Sequence, residues 1–135
     1  FGVEPSSNIS QIVWDKMVLN TGQNALSAIT NFHLGQLYEN EDCLDIAKHL
    51  TEEFEKVANA EAITFDYDTF EKLKMNWPGS TFYPSMWQDL HHNRRTEIDA
   101  INGEIIKRGK KHGIKTPYNE MITLLVKIAE SKYNP

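Results

Sequence analysis

The sequence predicts an all-α fold, a bundle of six or seven helices, on three observations. Apolar residues recur at three- and four-residue intervals along most of the chain, which places them on one face of a helix. The two-residue alternation of a half-buried strand is almost absent. Seven glycines and five prolines stand singly and punctuate the periodic segments rather than clustering into loops. With 135 residues, 40% hydrophobic and 10% aromatic, residues 1–135 are expected to form one domain with a sizeable core. A chain of this size buries roughly two-thirds of its unfolded surface and needs no disulfide or metal to fold.

The elements follow in order. The first helix starts near Ser10 and carries Ile12, Val13, Met17 and Leu19, with a kink at Gly22 and a continuation through Ala25, Leu26 and Ile29. The second runs from about Glu41 to Ala58 with Leu44, Ala47, Leu50, Phe54 and Val57 at helical spacing. Asp66 is the expected cap of a shorter helix ending near Met75. Residues 76–84 contain Trp77-Pro78-Gly79 and Pro84 and are expected to be irregular. Ser85 followed by Gln88, and Thr96 followed by Asp99, both read as capping boxes. The helix opened at Thr96 carries Ile98, Ile101, Ile105 and Ile106 and ends at Gly113, a left-handed cap. Thr116 and Pro117 supply an N-cap and a first-turn proline for a last helix expected to bury Met121, Leu124, Leu125 and Ile128.

Charge and composition narrow the function. A formal charge of −5 argues against a chain that grips nucleic acid. The crowd Lys107, Arg108, Lys110, Lys111 and His112 reads instead as cations at the negative pole of a helix. No apolar run approaches the roughly 20 residues of a membrane span, and no signal-peptide pattern opens the chain. The one cysteine, Cys43, excludes an internal disulfide and suits the reducing cytoplasm. His33, His49, His91, His92 and Cys43 lack zinc spacing, so no metal is expected. No two glycines have the G-x-G spacing of a dinucleotide-binding turn, so the chain has no recognisable cofactor site of its own. It begins at Phe1 rather than Met, which is read as sequence missing upstream.

Three constellations carry chemistry. Lys16, Asn20 and Asn24 lie four residues apart, each rotated about 40° from the last, and Ser27 falls on the same stripe. The spacing is also that of a solvated helix face, but such faces usually mix Glu with Lys, and this one holds a lone cation among uncharged donors and acceptors. Ser85 at a helix start presents a hydroxyl beside free N–H groups, either as a cap or as a contact for an anion. Glu97, within Arg94-Arg95-Thr96-Glu97-Ile98-Asp99, is expected at a first helical position, as a carboxylate that accepts hydrogen bonds rather than donating a proton. An acid there is also common for structural reasons alone.

The runs Ser85-Met86-Trp87-Gln88-Asp89, Arg95-Thr96-Glu97-Ile98-Asp99, Ile101-Asn102-Gly103, Lys111-His112-Gly113-Ile114, Thr116-Pro117 and Asn119 resemble the C-terminal domain of ketopantoate reductases, or 2-dehydropantoate 2-reductases. Trp14-Asp15-Lys16-Met17-Val18-Leu19-Asn20, with Asn24-Ala25-Leu26-Ser27-Ala28, resembles the start of that domain. The likeness runs in order from about residue 9 to residue 130. It implies a helical domain similar to that of 6-phosphogluconate dehydrogenase, joined to an N-terminal Rossmann domain that this chain lacks. NADPH is then bound mainly by the Rossmann domain, and a 2-oxo acid sits in the cleft between the two. By the same resemblance, Lys16 is the catalytic proton donor, Asn20 and Asn24 are substrate-binding amides, Ser85 is a hydroxyl on the substrate, and Glu97 is the cleft carboxylate.

One departure stands out. Where the family often has Asn-Gly-Glu-Leu, this chain has Leu34-Gly35-Gln36-Leu37, which exchanges an amide for an apolar wall and opens the choice of 2-oxo acid. The expectation is therefore the substrate-side half of an NADPH-dependent reductase, inactive by itself, without nucleic-acid or membrane partners. The rival is a free-standing helical module for dimerisation or protein binding, supported by the missing cofactor motif. A homodimer is compatible with either.

Overall fold

A computed structural model describes residues 8–132. They form α1 (Asn8–Leu19), a π-turn (Asn20–Asn24), α2 (Ala25–Thr30), α3 (Leu34–Tyr38), α4 (Glu41–Ala60), α5 (Thr69–Lys74), α6 (Ser85–His91), a 3-10 turn (Ile98–Ala100), α7 (Asn102–Lys111) and α8 (Pro117–Ser131). No strand occurs among the described residues, so the all-α expectation holds. The helices outnumber the expected six or seven because the first is divided by the π-turn and the short α3 was not foreseen.

The long α4 is the centre of the bundle. Its Ala47, Leu50, Phe54 and Val57 are fully buried, as their spacing predicts, and α3, α5, α7, α8, α1 and the π-turn all pack on it. Phe54 meets Trp14 of α1 with ring centroids 5.6 Å apart, and burying a side chain of that size contributes about 1.5–3 kcal/mol. Asn40 caps α4 by accepting from the Cys43 N–H at 3.0 Å. The Cys43 side chain is buried beneath that first turn.

The caps are only partly where the sequence puts them. Gly113 takes its left-handed φ of +70°, and Pro117 opens α8. Asp68, not Asp66, caps α5 by accepting from the Glu71 N–H at 2.9 Å. Ser85 is the first residue of α6 rather than its cap, and Gln88 donates to the Tyr83 carbonyl, so no capping box forms there. A capping box forms instead at His33 and Gln36, opening α3. Thr96 starts no α-helix. Its N–H and hydroxyl both donate to Glu130 of α8, at 2.7 and 2.6 Å, and a separate 3-10 turn precedes α7.

The largest correction concerns α8. Met121, Leu124, Leu125 and Ile128, expected in the core, are 60%, 57%, 39% and 61% exposed. Asn119, Ile122, Thr123 and Val126 face inward instead. The cause lies in α4, where buried Glu53 accepts from the N–H groups of Tyr118 and Asn119 at 2.9 and 3.0 Å. A carboxylate that satisfies two free N–H groups at the start of α8 fixes which side of that helix turns inward.

Candidate active-site face

The π-turn decides how the first polar stripe is presented. Three neighbours hold it. Leu73 of α5 lies so close to Gly22 that an added Cβ would come within 2.4 Å of its Cδ2. The fully buried Trp77 donates from Nε1 to Gln23 Oε1 at 2.8 Å. Asn102 of α7 donates from Nδ2 to the Thr21 carbonyl at 3.2 Å. Glycine lets the Leu73 side chain approach the turn more closely than a side chain at residue 22 would allow without displacing it.

Inserting one residue into a helix retards everything after it by about 100°. In an unbroken α-helix Asn24 would stand about 80° round from Lys16, and Ser27 only about 20°. With the π-turn, Asn24 returns to within about 20° of the Lys16 line and Ser27 swings off it. Ser27 is accordingly fully buried and donates to the Phe32 carbonyl at 2.5 Å, closing the end of α2. It leaves the stripe on which its spacing put it.

The five predicted residues divide by exposure. Lys16, Ser85 and Glu97 are exposed, Asn20 is half-buried, and Asn24 is only 5% exposed. None of the five makes a side-chain hydrogen bond or ion pair among the described residues. For a surface lysine or glutamate that is ordinary. Asn24 is buried as a residue, but neither atom of its amide is among the enclosed side-chain atoms that lack a partner, so the amide edge still reaches the surface.

Packing brings four of the five residues to adjoining elements. Lys16, Asn20 and Asn24 share one continuous helix, and α6, whose first residue is Ser85, packs on both the π-turn and α2. Glu97 stands just before the 3-10 turn, with φ −95° and ψ 27°, rather than at the first helical position. That turn packs on α7 and α8, and α8 packs on α2. A groove of about 680 Å³ on the α4–α5 side, lined by Thr51, Glu55, Tyr67, Thr69 and Phe70 among others, contains none of the five. Leu34, which stands where the family often has asparagine and was expected to form an apolar wall, is instead a core residue 5% exposed. Its N–H and that of Gly35 tie α3 to the Phe82 and Ser80 carbonyls at 3.1 and 2.9 Å.

The model of the family described as "Ketopantoate reductase PanE/ApbA C terminal" matches residues 8–130. The chain belongs to this family. In sequence it is similar to a 2-dehydropantoate 2-reductase of Streptococcus pyogenes serotype M3, 37% identical over 94% of this chain. The chain spans 42% of the length of that relative. Among solved structures, D-mandelate dehydrogenase with NADH and anilino(oxo)acetate superposes with a TM-score of 0.89 at 33% identity, over 96% of this chain and 55% of that one. A PanE/ApbA family ketopantoate reductase from Ralstonia eutropha gives 0.86 at 34% identity, over 96% and 44%.

Reasoning from spacing missed what supports this face. Glu53, Asn102 and Asn119 are buried polar residues, and none of them was singled out for its burial. Their signal was present. Each interrupts an apolar stripe: Glu53 between Leu50 and Phe54, Asn102 between Ile98 and Ile105, and Asn119 three residues before Ile122. A polar residue that stays on a buried stripe has to find partners inside.

Proposed function

We propose that this chain is the substrate-side half of an NADPH-dependent 2-oxo-acid reductase, with ketopantoate as its first substrate. The observation that carries the reading is the π-turn, which by helix geometry returns Asn24 to within about 20° of the Lys16 line, its amide reaching the surface without a side-chain partner among the described residues. An amide so placed is free for a ligand's oxygen. Family membership and the likeness to NADH-bound D-mandelate dehydrogenase support the same reading.

The chain has no G-x-G turn for a dinucleotide's phosphates, so NADPH is assigned to a Rossmann domain that meets this face. Its cation, amides and carboxylate fit the other end of the reaction. A bound nicotinamide supplies hydride to the substrate carbon. The Lys16 ammonium then donates to the carbonyl oxygen, stabilises the negative charge that builds there and delivers the proton that completes the alcohol. Asn20 and Asn24 hold the substrate, the Ser85 hydroxyl donates to its carboxylate, and Glu97 accepts from a substrate or ribose hydroxyl while balancing the lysine charge.

A 2-oxo acid with an apolar substituent is the second reading of the substrate. It is favoured by the likeness to a dehydrogenase solved with anilino(oxo)acetate.

The test is NADPH oxidation by the full-length protein with ketopantoate and with phenylglyoxylate. Lys16→Ala is expected to lower kcat about 100- to 1,000-fold, the usual loss for a donor to a developing oxyanion. Full activity in that variant overturns the assignment. The 135-residue chain by itself is expected to oxidise no NADPH.

A further inference from the structure

Asn102, the first residue of α7, is fully buried, and its Nδ2 serves two acceptors. One is the Thr21 carbonyl at 3.2 Å, and the other is Asn119 Oδ1 at 2.9 Å. The surroundings fix which way both amides turn. Glu53 Oε1 and the Leu50 carbonyl can only accept, so Asn119 presents Nδ2 to them, at 2.8 and 3.5 Å, and Oδ1 to Asn102. Asn102 answers with its own Nδ2, whose second hydrogen is left for Thr21. Glu53 is held in turn by the N–H groups at the start of α8. Hydrogen bonds thus run from Asn102 of α7 in two directions, through Asn119 of α8 to Glu53 of α4 and directly to the π-turn at Thr21.

A packing role alone does not account for Asn102. Its Oδ1 has no hydrogen-bond partner among the described residues, a cost that leucine in the same space would avoid. What the amide does that leucine cannot is donate to a carbonyl inside the π-turn. An inserted residue widens the turn and takes carbonyls out of line with the N–H groups of an ordinary α-helix. Once buried, such a carbonyl needs a donor from elsewhere.

We propose that Asn102 is a positioning residue: oriented by Asn119 and Glu53, it anchors the π-turn at Thr21 and thereby keeps Asn24 in line with Lys16. This rests on the reading of Lys16 and Asn24 as substrate-facing groups. Without the anchor the segment relaxes toward continuous α-helix, and Asn24 swings about 100° away from its place.

Asn102→Leu keeps the volume and removes both donated bonds. In the full-length protein, amide hydrogen exchange over residues 21–25 is expected to quicken about 10-fold or more, while residues 50–57 of α4 keep their protection. At saturating ketopantoate and NADPH, kcat falls about 10- to 100-fold, with KM for NADPH unchanged. Val57→Ala, a core truncation outside this network, lowers thermal stability but keeps kcat within about two-fold, which separates positioning from general loosening. If Asn102→Leu does not fold, Asn102→Ser, with one hydroxyl donor for two acceptors, carries the same expectations. Unchanged exchange over residues 21–25, or full kcat, overturns the proposal. Full kcat in Lys16→Ala instead overturns the substrate-facing reading, whatever the exchange shows.

Discussion

At Gly22 a single hydrogen in place of a methyl group lets Leu73 fill the hollow of the π-turn. Leu73 is 1% exposed, so its methyl groups have to shift within the core to admit a side chain at residue 22. Gly22→Ala is therefore expected to lower unfolding free energy by about 1–3 kcal/mol, the usual cost of overpacking, as read from urea denaturation. The sequence marked Gly22 as a break, but only the neighbour on α5 explains why glycine suits it. Lys16 and Asn20 were equally legible as polar positions on an apolar helix. Asn24 was read on the same line, but the π-turn was not legible, because an inserted residue leaves no trace in four-residue spacing. Glu97 was misplaced for a different reason. Glu130, from the far end of the chain, takes both donors of Thr96 and delays the helix to Asn102.

Among the elements, α4 and α8 show where periodicity is enough and where it fails. On α4 the apolar spacing named the buried face, since the polar Thr51 and Glu53 that share it find hydrogen-bond partners inside and leave Leu50, Phe54 and Val57 at the centre. On α8 two faces were available, and the more apolar one lost. The Glu53 carboxylate binds the helix start and Asn119 Nδ2 together, and so draws the Asn119–Thr123 side inward. Glu53→Ala is expected to cost about 1–3 kcal/mol by leaving buried N–H groups unpaired. Leu124→Gln and Ile128→Gln, on the outward side, should each stay within about 0.5 kcal/mol of the parent. Thermal melts of the three variants check that ordering. A larger loss in the outward pair than in Glu53→Ala would reverse the assignment of faces.

For the molecule as a whole, the all-α class was readable because one period dominates the chain, whereas the ties between distant segments were not. The basic run at the end of α7 is the clearest case. It reads as compensation for a helix pole, yet Arg108, Lys111 and His112 converge on Glu61, just past the end of α4, and Arg108 also pairs with Glu104 at 2.8 Å. Burial alone would push the Glu61 carboxyl up. The hydrogen bonds from His112 and Arg108, with the charges of Arg108 and Lys111, outweigh it and hold the group below the ordinary carboxylate range. A carboxyl depressed in the folded state binds protons more readily when unfolded, so its contribution is complete above the unfolded value of about 4.5 and is lost as pH falls through the folded one. Stability should therefore decline on acidification below about pH 4.5. Glu61→Gln should flatten that decline, as measured by denaturant midpoints across the acid range. An identical slope in the variant would remove Glu61 from the acid response.

The thiol sealed under the first turn of α4 has a practical outcome. Burial, and then the charge of Asp42, raise Cys43 above its ordinary value, and the sequence holds one cysteine in all. Alkylating and disulfide-exchange reagents need a thiolate they can reach, so labelling has to wait for the N-terminal turn of α4 to open. Mass spectrometry of iodoacetamide uptake against denaturant then gives the opening free energy of that one turn, with no engineered probe.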